Sequence, residues 1–167
     1  NVGPLMAVKA EDKYEPAARL ERLGTTNYFG IIFTMNKRIK SLKDLKGRTI
    51  AMVSPNSTSG GLFPQKTLLD AGLVPGKDIR IKWVKSHPGV AAAVLKGDAA
   101  AGACFEDCRD HAWKSAAQKS AQTRILSYTD EIPGELILIK RSLPSALKAQ
   151  LKARLLSIPE DSGILRQ

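Results

Sequence analysis

The sequence predicts an α/β fold built around a mainly parallel sheet, on the basis of three observations. Short apolar segments of strand length alternate along the chain with segments whose apolar residues recur at helical spacing. Gly47, Gly72 and Gly97 follow three of the helical segments, at positions where glycine commonly ends a helix. With 167 residues, of which 43% are hydrophobic, the chain can bury one ordinary core or two small ones.

The first half of the chain contains two strong strand signals. Strands are predicted at residues 27–35 and 49–53, and helical segments at residues 41–45 and 62–71. The first strand is a long apolar run, and the second is a short apolar run bounded by Gly47 and Pro55. Ser41 is a good helix cap, and Gly72 closes the longer helix.

The second half continues the alternation. Strands are predicted at residues 78–84, 99–105, 124–128 and 135–140, and helices at 88–96, at 106–118 and after Pro144. The last helix has the clearest pattern, because Leu147, Leu151 and Leu155 recur at four-residue intervals. Proline is favoured in the first turn of a helix, so Pro144 indicates where this helix begins.

The chain is strongly basic, with a formal net charge of +10. Its lysines and arginines are spread over predicted outer helix faces and are not interleaved with aromatic residues that could stack on bases. We therefore predict a solvated basic surface and no nucleic-acid partner. No apolar run approaches 18 residues, so no membrane span is predicted. The chain starts at Asn1 without a leader pattern, which favours a mature or trimmed product.

Cys104 and Cys108 are the only two cysteines. If both lay on one helix they would share a face, but a bridge between successive turns is geometrically poor. We interpret them as two ordinary small side chains, with a soft-metal site or an unusual or intermolecular disulfide as the alternatives. No other cluster has metal-ligand spacing, so neither a metal nor a cofactor is predicted.

The polar loop at residues 54–61 (SPNSTSGG) lies between a predicted buried strand and a helix. Such a loop presents unpaired backbone N–H groups and the positive end of the helix dipole, and both favour an anion. Ser57, Thr58 and Ser59 add hydroxyl donors, and two glycines allow close approach of the backbone to a ligand. The other interpretation is that these hydroxyls only cap the helix.

A second loop at residues 85–89 (KSHPG) has the same position relative to the next strand and helix. Ser86 is a predicted cap, and His87 can donate a hydrogen bond to an oxyanion or be an incidental loop residue. Because the carboxyl ends of parallel strands lie side by side, both helix starts are expected to face one crevice. A Ser/His hydrolase is the catalytic alternative, although no Gly-x-Ser-x-Gly motif is present.

Five motifs in order carry a resemblance: SLKDLKG at 41–47, STSG at 57–60, SH at 86–87, LKGD at 95–98 and the Ile-Pro pair at 132–133. Together they resemble the phosphate/phosphite/phosphonate-binding (PhnD-like) family of periplasmic solute-binding proteins of ABC transporters. The resemblance covers most of the chain. It implies a type II periplasmic-binding-protein fold, in which two α/β lobes are joined by two crossing strands and close around the ligand.

The resemblance also implies a division into lobes. Residues 1–37 and 133–167 are expected to be parts of lobe 1, and residues 38–132 the inserted lobe 2. The opening portion of lobe 1 is expected to be absent from the chain.

By position, the resemblance makes Ser57, Thr58, Ser59 and His87 oxyanion donors. It makes Tyr28 an aromatic residue that closes over the ligand, with a strand residue packed in the sheet as the alternative. Asp107 and Glu135 fall where relatives place carboxylates that take an ammonium group, although exposed acids at such positions are common. The chain departs from the pattern at Ala99–Ala101, where relatives carry an acid, at Cys104, and at Glu135, which replaces a shorter aspartate.

The resemblance implies a soluble or lipid-anchored periplasmic protein, not an enzyme, that captures an oxyanion and delivers it to an ABC permease. Phosphate, phosphite, an alkylphosphonate or an arsenic oxyanion are the candidate ligands. The alternative function is a periplasmic sensor that binds phosphite or arsenite and signals to a receptor kinase.

Overall fold

The computed structural model describes residues 12–21, 24–113 and 121–159. The chain divides into two compact units. One unit is residues 27–133, and the other contains the described residues on either side of it. Each unit contains strands and helices, so the predicted α/β class is confirmed.

A five-stranded sheet organises the unit at 27–133. Its strands, in the order β5-β4-β6-β3-β7, are Arg80–Trp83, Thr49–Met52, Ala101–Phe105, Gly30–Thr34 and Arg124–Tyr128. Strand β4 is parallel to β5 and β6, whereas β3 is antiparallel to β6 and β7. The prediction of a mainly parallel sheet is therefore wrong, since the sheet is mixed. The apolar pattern of a buried strand is the same whether the strand is parallel or antiparallel to its neighbours, so the sequence could not reveal the direction of β3.

The sheet is covered on both faces. All five residues of β3 are buried, and their side chains alternate between two core clusters. Ile31 and Phe33 belong to one cluster, and Ile32 belongs to the other. A strand buried on both faces explains the uninterrupted apolar run at residues 29–33.

The helices of this unit flank the sheet. They are a 3-10 turn at Leu42–Leu45, a π-helical turn at Thr58–Leu62 that runs into α1 at Phe63–Asp70, α2 at His87–Leu95 and α3 at Cys108–Ala112. The helix predicted at 62–71 thus begins four residues earlier, inside the polar loop. The helix predicted at 106–118 is described only as far as Trp113, because residues 114–120 lie outside the described ranges.

Two short strands lie at the ends of this unit. Strand β2 (Asn27–Tyr28) pairs antiparallel with β8 (Ile132–Pro133), and Tyr28 is opposite Ile132. The predicted strand at 27–35 is therefore two strands, interrupted at Phe29.

The second unit contains a two-stranded antiparallel sheet of β1 (Tyr14–Arg19) and β9 (Leu136–Lys140), followed by α4 (Ser145–Leu156). Glu15 on β1 accepts contacts from Lys152 at 3.3 Å and Lys148 at 3.4 Å, both on α4. These two lysines, Lys152 first, lower the pKa of Glu15 below its usual value. These ion pairs link α4 to β1, and none of the residues of α4 is buried.

None of the helices in residues 12–21, 24–113 and 121–159 combines the length and the apolar character that a membrane span requires.

Candidate anion-binding site

Two helix starts lie side by side at one edge of the sheet. Strands β4 and β5 are parallel, with Met52 opposite Trp83. The pairing continues one residue further, because Lys85 N donates to Val53 O at 2.9 Å. The loops that lead to α1 and α2 therefore leave neighbouring strands at the same carboxyl edge. This is where open α/β sheets commonly bind ligands.

The first loop ends at a π-helical turn capped by Ser57. The Ser57 Oγ accepts a hydrogen bond from Gly60 N at 3.2 Å, and the Ser57 carbonyl accepts one from Leu62 N at 2.8 Å. The loop also folds back on the strand, since Val53 N donates to Gly60 O at 2.8 Å. Because a hydroxyl can accept and donate at once, the Ser57 proton is still available to a ligand.

Close packing surrounds the rest of this turn. Thr58 is 1% exposed and Ser59 is 4% exposed. A Cβ placed on Gly60 would collide with the Val53 side chain, and one placed on Gly61 would collide with the Ser54 carbonyl oxygen. The two glycines are thus required by the protein's own backbone and core. These collisions explain why glycine is present at both positions. The prediction that the glycines let a ligand approach the backbone stays a prediction.

The second loop is capped in the same way. The Ser86 Oγ accepts a hydrogen bond from Gly89 N at 3.1 Å, and Lys85 has the left-handed φ of 69° that starts the turn. His87 is the first residue of α2, and its ring packs edge-to-face on Phe105 with 4.8 Å between centroids. The Nδ1 atom of His87 is buried and has no hydrogen-bond partner among the described residues.

Burial lowers the pKa of His87 below its usual value of 6.5. At neutral pH the ring is therefore uncharged, and the unfolded chain takes up the proton more readily than the folded one as the pH falls. The folded state is expected to lose stability as the pH drops below about 6.5. Denaturant unfolding from pH 7.5 to 5 should show this loss in the wild type and a smaller loss in His87→Gln. Equal slopes for both proteins would assign the loss to other groups.

The end of β6 and the start of β3 reach the same edge. Phe105 is opposite Gly30, and Glu106 N donates to Phe29 O at 3.1 Å. Tyr28 comes just before Phe29 in the chain, and Asp107 comes just after Glu106. Because β3 and β6 are antiparallel, both residues lie at the carboxyl edge of β4 and β6.

Gly30 connects this part of the edge to the first loop. A Cβ placed on Gly30 would lie 2.9 Å from the Ser59 carbonyl oxygen and 2.9 Å from the Thr129 Cγ2. The π-helical turn therefore rests directly on the start of β3.

Six of the seven predicted ligand-binding residues thus lie at one edge of one unit. They are Tyr28, Ser57, Thr58, Ser59, His87 and Asp107. Glu135 belongs to the other unit, where its carbonyl accepts a hydrogen bond from Leu20 N at 3.0 Å. Phe105 was missed as a member of the site, because an apolar residue at a strand end carries no signal that a histidine packs on it.

The structure corrects the interpretation of the cysteines. Cys104 is on β6 and Cys108 is the first residue of α3, and they form a disulfide with 6.1 Å between Cα atoms. The expectation of two ordinary unlinked side chains is wrong, because the pair spans a strand-to-helix turn and not two turns of one helix. In the described part of the chain, no three His, Cys, Asp or Glu side chains are grouped where they could hold a metal ion.

The mixed α/β unit, with its helix starts at one sheet edge, has the fold of a type II periplasmic binding protein. The family described as "ABC transporter, phosphonate, periplasmic substrate-binding protein" matches residues 1–167, so the chain belongs to this family. The predicted family and fold are confirmed. The family is one of substrate-binding proteins and not of enzymes, as the sequence predicts.

Individual relatives agree with this assignment. The chain is 28% identical over 132 residues to the phosphate-import protein PhnD of Mycolicibacterium smegmatis. This match covers 74% of this chain and 41% of that protein. PhnD1 from Prochlorococcus marinus, solved with methylphosphonate, is similar in structure with a TM-score of 0.75 and 22% identity, over 92% of this chain and 61% of that one.

A binding protein component of an ABC phosphonate transporter from Pseudomonas aeruginosa has a TM-score of 0.74 and 20% identity, over 96% of this chain and 56% of that one. At these identities the solved structures establish the fold alone. The chain spans less than two thirds of the length of each of these three proteins.

Proposed function

We propose that this protein is the substrate-binding component of an ABC importer and that it holds a phosphonate- or phosphate-like oxyanion at the starts of the Thr58–Leu62 turn and α2. The observation that carries the proposal is the adjacency of two serine-capped helix starts at the carboxyl ends of β4 and β5. The positive ends of two helix dipoles lie at this edge, and both favour negative charge there.

Neutral groups hold the anion in this proposal. The hydroxyls of Ser57, Thr58 and Ser59 and the first backbone N–H groups of the turn donate to the phosphoryl oxygens. His87 is uncharged because of its burial and donates from one ring nitrogen. A ligand at the start of α2 would also give its buried Nδ1 a partner. A site of neutral donors suits reversible capture and release.

The remaining predicted residues select the substituent of the ligand. Tyr28 closes over it, and the carboxylates of Asp107 and Glu135 bind an ammonium group where the ligand carries one. In this proposal the two lobes are the two compact units, residues 1–26 with 134–167 and residues 27–133. The ligand stabilises the closed form of the protein to the extent that it binds that form more tightly than the open one.

The periplasm is the proposed location, and an ABC permease the proposed partner. The family description names this compartment, and a disulfide persists in such an oxidising environment. The relatives' names include both phosphate import and methylphosphonate binding, which supports this ligand class. A sensor would use the same site, and neighbouring genes for a permease and ATPase, or for a sensor kinase, distinguish the two roles.

Calorimetric titration of the full natural protein with phosphate, phosphite, methylphosphonate, 2-aminoethylphosphonate and arsenite tests the proposal. At least one phosphorus oxyanion should bind and raise the free energy of unfolding, by about 2.7 kcal/mol at a hundredfold excess over Kd. Sulfate is the matched tetrahedral control. A folded protein that binds none of the phosphorus oxyanions would contradict the proposed function. Binding of arsenite alone would support the sensor alternative.

A further inference from the structure

The Cys104–Cys108 disulfide closes a five-residue loop at the edge of the proposed site. Cys104 is opposite Ile31 in the sheet, and Cys108 begins α3. Both cysteines are in the core, with 0% and 1% of their surface exposed. Reductants therefore have little access to the bond in the folded protein, and it acts as a permanent link between the strand and the helix.

The closed loop contacts the proposed site in two places. The Phe105 ring packs on His87 with 4.8 Å between centroids, and Glu106 N donates to Phe29 O, next to Tyr28. Asp107 lies between these contacts and the second cysteine. Of the three residues that the disulfide encloses, Phe105 contacts the proposed ligand-binding residue His87, Glu106 bonds to the neighbour of Tyr28, and Asp107 is itself a proposed ligand-binding residue.

Among the described residues, the start of α3 lacks the capping hydrogen bond to a side chain that the other two helix starts at this edge have. Asp107 is the N-cap residue, but its side chain does not make a capping hydrogen bond, unlike Ser57 and Ser86 at the other two helix starts. When an aspartate caps a helix, its carboxylate accepts a hydrogen bond from the first turn, and that bond holds both the turn and the carboxylate in place. Here the covalent link holds the turn, which leaves the Asp107 carboxylate available to a ligand.

We propose that the disulfide is a positioning element for ligand selectivity. It holds the Asp107 carboxylate at the sheet edge, so that the protein distinguishes a phosphonate with an ammonium group from one without. This inference rests on the proposed function, because it assumes that the oxyanion lies at the starts of the π-helical turn and α2. The contacts proposed for the phosphoryl oxygens come from the π-helical turn and the start of α2, which lie outside the loop closed by the disulfide. Freeing that loop should therefore weaken the carboxylate contact more than the contacts to the phosphoryl oxygens.

The test compares the wild type with the double variant Cys104→Ala/Cys108→Ala, each titrated with methylphosphonate and with 2-aminoethylphosphonate. The affinity of the double variant for 2-aminoethylphosphonate should fall about tenfold more than its affinity for methylphosphonate, a loss comparable to that of one charge contact. Asp107→Asn, which keeps the disulfide, should reproduce this selective loss. Adding Asp107→Asn to the double variant should then cost little more, because both changes remove the same contact.

Equal losses for both ligands would show a general structural role and overturn the inference, and so would unchanged affinities. If the double variant does not fold, Cys104→Val/Cys108→Ala removes the same bond while filling more of the core space. A wild type that binds methylphosphonate but prefers it to the amino compound would overturn the inference and leave the proposed function standing. A wild type that binds neither would contradict the proposed function itself.

Discussion

Replacing Ser57 by alanine and Thr58 by valine should reduce oxyanion affinity by a factor of about 10² to 10⁴. Each hydroxyl would donate a hydrogen bond to a charged oxygen, and such bonds contribute about 1.5–3 kcal/mol each. The two bonds together correspond to this range of affinities. Isothermal calorimetry with the tightest-binding member of the oxyanion panel measures the change directly.

The same variant should stay folded. Losing the Ser57 cap, whose Oγ accepts from Gly60 N, costs about 1 kcal/mol. Valine keeps the shape of the buried Thr58 side chain, and the loss of its hydroxyl costs about another 1 kcal/mol. Thr67→Val is the matched control, because its hydroxyl donates to the Phe63 carbonyl, one turn into the helix and away from Ser57. Unchanged affinity in the double variant would remove these hydroxyls from the binding mechanism, whereas weakened binding in Thr67→Val would indicate a general effect on α1.

Gly61→Ala should damage both the fold and the site. The new Cβ would collide with the Ser54 carbonyl oxygen, which is backbone and cannot rotate away as a flexible side chain can. Forcing an extra carbon into packed structure typically costs about 1–3 kcal/mol and sometimes more. For a chain of this size each kcal/mol lowers the Tm by about 2–4 °C. Because Ser54 and Gly61 frame the polar loop, we also expect oxyanion binding to be lost.

Gly97→Ala is the control for Gly61→Ala, because it introduces backbone strain without a collision. Gly97 has a φ of +77°, but a Cβ there would meet no atom within 4 Å. This variant should lose about 1 kcal/mol through the left-handed conformation alone and keep its ligand affinity. Thermal unfolding and calorimetry on both variants give the comparison. If Gly61→Ala were no less stable than Gly97→Ala, the close approach of the loop to Ser54 would not be a structural requirement.

Local pattern was sufficient for most elements of the fold. Residues 124–128 form a strand with the predicted bounds, and the strand predicted at 49–53 ends one residue earlier, at Met52. The last helix begins at Ser145, one residue after Pro144. Strand β1 at Tyr14–Arg19 was not predicted. It contains Pro16, which weakens the strand signal, and its pairing with β9 has an irregular register after that residue.

The candidate site was predictable for a similar reason. Serine before a helix is a local signal, so Ser86 could be recognised as a helix cap from the sequence, and it accepts the expected hydrogen bond. Ser57 was one of three possible caps, because the turn that it caps begins four residues before the predicted helix. Their roles toward a ligand, and those of Tyr28, Asp107 and Glu135, remain predictions that the variants and titrations described above test.

By itself the sequence determined the α/β class, most strands and helices and the two capped loops, because periodicity and capping depend on residues close together in the chain. Only the tertiary structure decided the antiparallel direction of β3, the contact of His87 with Phe105, the need for glycine at position 61 and the Cys104–Cys108 bond. These features depend on which strand ends meet and on how closely a turn approaches its neighbours. Such distances are set by packing between distant segments and leave no periodic trace in the chain.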